Sequence, residues 1–187
     1  MDATDAVAVK LARAGDQDAF RVLVDRHGRA VFNLAYRMTG NGSDAEDVVQ
    51  ETFLKAWRQL DRFEERSSFG TWIYRVAVNC ALDQLRRRPM REVSATPDDL
   101  DAPAPTKEAH DTWSPERQAL CSELQRKVNA ALSALSAAER TAFVLRHFEG
   151  RSIEEIADMM GLRTSATKHS IFRAVQKMRR ALQPLVE

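Results

Sequence analysis

Apolar residues recur along most of the chain at intervals of three and four positions, which is the spacing of one face of an α-helix. No sustained run alternates between apolar and polar residues as a half-buried β-strand does. The spacing predicts helices at residues 4–14, 16–39, 44–61, 68–88, 115–134, 137–148, 152–160 and 165–183. The sequence therefore predicts an all-α fold.

The helical pattern stops in the middle of the chain, over residues 89–115. This stretch holds five of the six prolines, is net acidic and has almost no apolar periodicity, so it favours a flexible linker. Two small helical domains are then predicted, at residues 1–89 and 115–187, joined by an acidic, proline-rich linker at 90–114. An ordered loop that crosses a domain face is the alternative, with Trp113 as a candidate docking point.

Composition and cysteine usage restrict the class of protein. Hydrophobic residues make up 44% of the 187 residues and charged residues 29%, which is typical of a soluble helical protein. No apolar run is long enough to span a membrane and the N-terminus lacks the pattern of a signal peptide, so we expect a cytoplasmic protein without membrane insertion. The two distant cysteines, Cys80 and Cys121, fit a reducing compartment and offer no metal-site spacing. Neither a metal site nor a cofactor is predicted.

The C-terminal segment has the pattern of a helix-turn-helix. Ser152 followed by Glu155 matches a capping box that starts one helix, and Gly161 supplies the positive φ that ends it. Thr164 or Ser165 can cap the next helix. The side chains that this pattern turns inward are Ile153, Ile156, Ala157, Met160, Thr167, Ile171, Ala174 and Met178.

The charge on the second of these helices points to DNA. The net charge of the whole chain is only +1, but residues 122–187 carry 11 bases and 7 acids. Between Arg163 and Arg180 there are six bases and no acid. Such a surface suits a phosphate backbone and a major groove, whereas a merely solvated helix usually mixes both signs.

Several side chains of this basic helix are candidate base readers. Lys168, His169 and Arg173 can donate hydrogen bonds to guanine N7 and O6. Phe172 either presses on a thymine methyl group or packs against the preceding helix, and the sequence leaves both interpretations open.

An acidic helix is predicted in the N-terminal half, with Ser43 and Glu46 as a second capping box. Its broad buried face consists of Ala45, Val48, Val49, Phe53, Ala56, Trp57 and Leu60. Its outer side carries Asp44, Asp47, Gln50 and Glu51. Acids in a first turn suit the helix dipole, which leaves Gln50 and Glu51 without a structural explanation.

The next segment combines aromatic residues with a basic end. Phe63 and Phe69 flank a polar loop, and the helix that follows ends in three consecutive arginines at 86–88. The aromatic rings are suited to stacking on unpaired bases, although Trp72 at this spacing is typical of a helix core. Three arginines in a row exceed what a helix C-terminus needs for capping.

Three segments stand in a characteristic order. They are "DAEDVVQETFLKAW", "FGTWIYRVAVNCALDQLRRR" and, after the linker, "LSAAERTAFVLRHFEGRSIEEIADMMGLRTSATKHSIFRAVQKMRR". In this order and separation they resemble a bacterial extracytoplasmic-function sigma factor of the sigma-70 family. A helix-turn-helix alone would not be specific. The N-terminal block, which contains the first two segments, and the C-terminal block are specific together, and they cover most of the chain.

The resemblance implies a promoter-specificity subunit that has no catalytic activity of its own. Its implied partners are core RNA polymerase, through the β′ clamp helices and the β flap, promoter DNA and an anti-sigma factor. The residues implied in binding the clamp helices are Asp44, Asp47, Gln50 and Glu51. Those implied in opening and reading the −10 element, with the loop 63–69 holding an extruded base, are Phe63, Ser68, Phe69, Asn79, Asp83, Arg86 and Arg87. Those implied in reading the −35 element are Arg163, Ser165, Lys168, His169, Phe172, Arg173 and Lys177.

The basic helix departs from the usual pattern of the family at three positions. Ser165 stands where a turn glycine is usual, and Ser170 and Val175 replace bases. Two expected phosphate contacts are lost, so −35 affinity should depend on the remaining bases. Those bases are Lys168, Arg173 and Lys177.

Two other classes of function fit the sequence less well. A stand-alone helix-turn-helix repressor or activator would use its N-terminal half for dimerisation or sensing and would bind an operator tightly without polymerase. It leaves the outer side of the acidic helix and the helix that contains "LDQLRRR" unexplained. An enzyme is disfavoured because the sequence offers no nucleophile–base pair and no metal spacing. The four dispersed histidines are His27, His110, His147 and His169.

Overall fold

The computed structural model describes residues 3–87 and 115–183, and the predicted linker at 90–114 with Trp113 lies outside these ranges. Every regular element within them is helical, which confirms the all-α prediction. The helices are α1 (Ala3–Arg13), α2 (Gln17–Thr39), α3 (Gly42–Gln59), α4 (Phe69–Arg87), α5 (Pro115–Ser133), α6 (Ala137–His147), α7 (Ile153–Met160) and α8 (Thr164–Leu182). A 3₁₀ turn at Leu60–Arg62 follows α3. Each helix begins and ends within two residues of its predicted position.

The chain divides into two compact units, residues 1–96 and 97–187. In the N-terminal unit, α2, α3 and α4 pack against one another, and α1 packs on α2. Burial of a large apolar side chain stabilises a fold by roughly 1.5–3 kcal/mol, and all four helices contribute such residues or small buried ones. The buried side chains include Val9, Leu23, Leu34, Met38, Val48, Ala56, Phe69 and Ile73.

The turn between α2 and α3 corrects the predicted start of the acidic helix. Gly40 ends α2 at a φ of 74°, in the left-handed region where glycine has no Cβ penalty. Asn41 then caps α3, because its Oδ1 accepts a hydrogen bond from the backbone N–H of Asp44 at 2.9 Å. The predicted capping box of Ser43 and Glu46 is therefore wrong, since Ser43 already lies inside the first helical turn.

In the C-terminal unit, α5, α6 and α7 all pack against α8. The predicted inward stripe of α8 is largely confirmed, because Thr167, Ala174 and Met178 are buried and Ile171 is half-buried. One core cluster joins α5 to α8 and contains Ala131, Leu132, Leu135, Ala174 and Met178. The inner side of α8 is thus used for packing, and its other sides remain exposed.

The helix-turn-helix begins and turns as its sequence predicts. Ser152 and Glu155 form the capping box, with the Ser152 Oγ accepting from the Glu155 N–H at 3.1 Å and a Glu155 oxygen accepting from the Ser152 N–H at 2.8 Å. Gly161 ends α7 in the left-handed region at a φ of 63°.

The predicted cap of α8 is wrong. Thr164 and Ser165 already have helical backbone conformation, so neither side chain is placed to accept from the first turn. Arg163 occupies the cap position and makes no side-chain capping hydrogen bond. Helix α8 therefore starts after a basic cap residue that provides no side-chain cap.

Candidate interaction surfaces

Three of the four residues predicted to bind the polymerase share an exposed surface on α3. Asp47, Gln50 and Glu51 are all exposed and lie within about one helical turn of one another; we call them the α3 surface. Asp44 differs, because it is half-buried and its Oδ1 accepts a hydrogen bond from Gln84 Nε2 on α4 at 3.2 Å. Asp44 therefore ties α3 to α4 as well as adding negative charge.

The structure adds an apolar residue to the α3 surface. Leu54 is 56% exposed and, with the three residues of that surface, lines a groove between α3 and α4. An exposed leucine among polar side chains has the composition of an interface, with an apolar centre and a polar rim. The sequence held the signal, because Leu54 directly follows the inward-facing Phe53 and successive helix positions point about 100° apart.

Cys80 lies on the wall of this groove and is 4% exposed. Burial raises the pKa of its thiol, and hydrogen bonding to Thr52 and the charge of Lys55 offset this only in part. Burial lowers the pKa of the Lys55 ammonium, but Glu51, at 3.0 Å, and Cys80 outweigh it, so that pKa is raised overall. The thiol therefore stays protonated at neutral pH and packs as a small apolar group.

Phe63 and Phe69, which the resemblance assigns to the −10 element, are core residues. They are 2% and 0% exposed, and their rings meet edge to face with centroids 5.9 Å apart. Trp72 completes the cluster, at 5.1 Å from Phe63 and 5.6 Å from Phe69, which favours the core interpretation of Trp72. Direct stacking of either phenylalanine on a base does not fit this burial. The two rings instead support the loop between them.

The part of this loop that is accessible to DNA is its middle. Its exposed residues are Glu64, Glu65, Arg66 and Ser67. Ser68, the next residue, is half-buried, and its Oγ accepts a hydrogen bond from the Thr71 N–H at 3.1 Å. Ser68 thus caps the first turn of α4, a structural role that the sequence pattern alone does not distinguish from DNA contact.

The residues of α4 that the resemblance assigns to the −10 element lie along one side of the helix. Asn79, Asp83 and Arg86 are spaced i, i+4, i+7, and Asp83 lies 3.7 Å from Arg86. Arg87 is exposed and lines the α3–α4 groove together with Asp83, while Arg88 lies outside the described residues. Three predicted polymerase-binding residues and two predicted −10 residues, Asp83 and Arg87, therefore border one groove of the N-terminal unit.

All seven residues predicted to read the −35 element are exposed, on α8 or directly before it. They are Arg163, Ser165, Lys168, His169, Phe172, Arg173 and Lys177. Phe172 is 61% exposed, so the structure favours a contact outside the unit over packing against the preceding helix. Ser170 is 5% exposed and faces the core, so the expected loss of a phosphate contact at this position does not follow from the structure.

The buried carboxylate of Glu139, on α6, contacts two of these basic side chains. The Glu139 side chain is 4% exposed, and its Oε2 accepts a hydrogen bond from Lys177 Nζ at 2.7 Å. Its Oε1 lies 3.5 Å from Arg173 Nε, and Oε2 also accepts from the Ser136 N–H at 3.0 Å in a capping box. Burial alone raises the pKa of this carboxyl, but the hydrogen bonds from Lys177 and Ser136 outweigh it and hold the pKa below its usual value. Glu139 therefore stays charged and holds the side chains of Arg173 and Lys177 along α8.

The described part of the chain contains no candidate metal site and no candidate membrane span. No group of His, Cys, Asp and Glu side chains within residues 3–87 and 115–183 is placed to hold a metal ion. None of the helices in those ranges has the length and apolar character that a membrane span requires. His27 and Asp5, 3.0 Å apart, resemble an acid–base pair, but the His27 ring packs against Phe69.

Both units match known proteins. Residues 23–89 match Sigma-70 region 2, and residues 125–178 match Sigma-70, region 4. The RNA polymerase sigma-H factor of Pseudomonas aeruginosa is 37% identical over 97% of this chain and 95% of its own length. The ECF RNA polymerase sigma-E factor of Escherichia coli K12 is 38% identical over 98% of this chain and 96% of its own length. The chain belongs to the extracytoplasmic-function sigma factors of the sigma-70 family.

Two solved structures resemble this sigma factor. CnrH, solved in complex with the cytosolic domain of CnrY, gives a TM-score of 0.61 at 28% identity and covers 97% of this chain and 98% of its own. The sigma factor RpoE of Bartonella quintana, solved in complex with the anti-sigma factor NepR, gives 0.63 at 25% identity over 88% of this chain and 96% of its own. The family resemblance inferred from the sequence is thus confirmed.

The matched regions divide this sigma factor along its surfaces. Region 2, at residues 23–89, contains the α3 surface, the loop and the exposed side of α4. Region 4, at residues 125–178, contains the helix-turn-helix together with Glu139. Helix α1 precedes the region 2 match.

Replacing Glu139 by Gln should destabilise the C-terminal unit by about 1–3 kcal/mol at neutral pH. Glutamine keeps the capping hydrogen bond to Ser136 but loses the ionic contacts to Arg173 and Lys177. Because folding depresses the pKa of Glu139, its stabilisation is complete above the unfolded value of about 4.5 and is lost as the pH falls through the folded value. Amide hydrogen exchange of α6 and α8 should therefore show a difference between variant and wild type that shrinks below about pH 4.5.

The control for this experiment is Glu154→Gln, which removes an exposed carboxylate in the first turn of α7. A loss of about 0.3–1 kcal/mol is expected there, from the helix dipole alone. If Glu139→Gln exchanged no faster than Glu154→Gln at pH 7, Glu139 would not be the anchor described above.

Proposed function

We propose that this sigma factor directs core RNA polymerase to promoters through three surfaces. The α3 surface, with Leu54 at its centre and Asp44 beside it, binds the β′ clamp helices. The exposed middle of the loop, with Asn79, Asp83, Arg86 and Arg87 of α4, opens and reads the −10 element. The exposed side of α8 reads the −35 element, and the C-terminal unit also binds the β flap. Nucleotidyl transfer belongs to the polymerase, so this chain has no catalytic reaction of its own and needs no cofactor.

The observation that carries the proposal is the opposite charge of two exposed helices. The α3 surface presents two carboxylates and an amide, whereas α8 and the residue before it carry six bases and no acid between Arg163 and Arg180. A phosphate backbone repels the first and attracts the second. An acidic surface fits a basic protein partner, and a stand-alone DNA-binding regulator does not require one.

Control by an anti-sigma factor is part of the proposal. Bartonella quintana RpoE and CnrH were each solved with a protein partner, NepR and the cytosolic domain of CnrY respectively. A partner of this kind would cover one or both DNA-binding surfaces until it is released. The place of action is the cytoplasm, where polymerase and promoters meet.

The proposal is tested by measuring promoter binding with and without core polymerase. Fluorescence anisotropy of a labelled duplex should show weak, salt-dependent binding by the chain alone. Addition of core polymerase should tighten sequence-specific binding by about 100-fold or more. Tight, specific binding by the chain alone, unchanged by core polymerase, would indicate a stand-alone helix-turn-helix regulator instead.

A further inference from the structure

The loop between α3 and α4 is held by an arginine from α1. Arg13 Nε donates a hydrogen bond to the Leu60 carbonyl at 3.1 Å, and Nη1 donates to Glu65 Oε1 at 2.7 Å. Nη2 donates to the Phe63 carbonyl, and the guanidinium carbon lies 5.8 Å from the centroid of the Phe63 ring. One side chain thus holds three points of the loop, at sequence separations of 47, 50 and 52 residues.

The backbone of the loop has a conformation that such contacts are suited to hold. Glu65 adopts a φ of 56°, in the left-handed region that a residue with a Cβ rarely occupies. Phe63 leaves the 3₁₀ turn with extended backbone, at φ −74° and ψ 102°. The planar guanidinium offers five N–H donors in a fixed arrangement, so Arg13 can satisfy two carbonyl groups and a carboxylate at once.

The other end of the loop is also held from α1, through α2. His27 Nε2 lies 3.0 Å from Oδ2 of the buried Asp5 on α1, and the His27 ring lies 5.3 Å from the ring of Phe69. A Cβ added at Gly70 would meet His27 Cε1 at 3.3 Å, so glycine lets the imidazole approach this closely. Both Phe63 and Phe69, which bound the exposed middle of the loop, are therefore fixed by contacts that lead back to α1.

The two supports on α1 lie outside the region 2 match. The region 2 match begins at residue 23, whereas Arg13 and Asp5 belong to α1. The loop itself lies within region 2. A helix that precedes the region 2 match thus contacts a loop within it.

We propose that Arg13 is a positioning residue for −10 recognition, which holds the loop 63–69 in the conformation that receives an unpaired base. The inference rests on the proposed function of that loop. In this role Arg13 acts through the Leu60 and Phe63 carbonyls and the Glu65 carboxylate.

The test compares polymerase holoenzymes that contain wild type, Arg13→Ala or Lys10→Ala. Lys10 is an exposed base on the same helix and serves as the matched control. The probes are a promoter that the wild-type holoenzyme recovers from a randomised library and a single-stranded oligonucleotide with its −10 sequence. We expect Arg13→Ala to lower both permanganate reactivity of the opened promoter and oligonucleotide binding by about 10-fold. Affinity for core polymerase should stay within about twofold of wild type, as should every value for Lys10→Ala.

Two further variants separate positioning from general stability. Glu65→Ala removes one exposed partner of Arg13 without touching the core, and its defect should be smaller. In the double variant, the effects of Arg13→Ala and Glu65→Ala should be less than additive, since they break the same contact. Arg13→Lys should not restore oligonucleotide binding, because one ammonium group cannot satisfy three separated acceptors.

Three outcomes would overturn the inference. The first is wild-type oligonucleotide binding by Arg13→Ala. The second is an equal loss of core binding and oligonucleotide binding by Arg13→Ala, which would indicate a general folding role. The third is failure of the wild-type holoenzyme to open any promoter, and this result alone would also refute the proposed function.

Discussion

A variant with Gln50→Lys and Glu51→Lys is expected to bind core RNA polymerase about 100-fold more weakly than the wild type. Both residues are exposed on the α3 surface, for which we propose basic residues of the β′ clamp helices as partners. The substitutions change the charge of this pair from −1 to +2, and like charges brought together across an interface cost several kcal/mol. The lost exposed pair between Glu51 and Lys55 contributes only about 0.3–0.5 kcal/mol, so the fold should persist.

The matched control places the same change of charge elsewhere in the N-terminal unit. Asp25→Lys with Asn33→Lys alters two exposed residues of α2 that belong to none of the proposed surfaces. Its affinity for core polymerase, measured by titration of a labelled chain at the same salt concentration, should stay within about twofold of wild type. Equal losses in both double variants would point to net charge rather than to the α3 surface. Undiminished binding by the first variant would show that the α3 surface does not contact the polymerase.

Lys168→Ala combined with Arg173→Ala should reduce transcription from a −35-dependent promoter by about 100-fold. Both side chains are exposed on α8, and each good contact to a nucleobase is worth roughly 1–3 kcal/mol of discrimination. Glu139 Oε1, 3.5 Å from Arg173 Nε, also orients the Arg173 side chain, which lowers the conformational entropy that this side chain loses when DNA binds. The effect should nearly vanish on a promoter whose −35 element is scrambled, because no base contact remains to be lost.

Arg126→Ala with Lys127→Ala provides the control for lost positive charge. These exposed residues lie on α5, next to Val128, which packs against the cluster containing Met178. Transcription by this variant should remain within about twofold of wild type. If the Lys168 and Arg173 variant lost the same factor on intact and scrambled promoters, the two residues would be phosphate contacts rather than base readers.

Helix positions could be predicted from the sequence because their signals are local. The box of Ser152 with Glu155 and the left-handed Gly161 each act within a few residues, and both occur as predicted. The predicted caps of α3 and α8 failed for a local reason too. Several capping residues compete in each of these turns, and the backbone conformation, which places Asn41 and Arg163 at the cap positions, decides between them.

The functional surfaces could be predicted only where a residue faces away from the core. The exposure of polar residues on α3 and α8 can be predicted from helical spacing. For Phe172 the sequence left two interpretations open, and its exposure in the structure favours an outward contact over packing against the preceding helix. Phe63 and Phe69 were ambiguous, because an aromatic residue beside a loop can pack inward or stack on a base. Their burial is decided by the cluster with Trp72, which forms only when the loop is folded.

The long-range contacts of Arg13 and Glu139 cannot be predicted from the sequence pattern. Arg13 contacts a loop about 50 residues away, and Glu139 pairs with Lys177 across 38 residues. The local sequence pattern predicts only that Glu139 forms a capping box with Ser136. It does not predict that Glu139 pairs with Arg173 and Lys177 on α8. Such pairs depend on how helices pack, which residue spacing within one helix does not specify.

The most direct measurement is run-off transcription by core polymerase, with and without this chain, on templates that carry a randomised promoter region. We expect transcripts that depend on the chain and that arise from templates sharing two short sequence elements, near −10 and −35, at a fixed separation. Absence of any promoter-selective transcript that depends on the chain, with core polymerase shown to be active, would contradict the assignment of this protein as a promoter-specificity subunit.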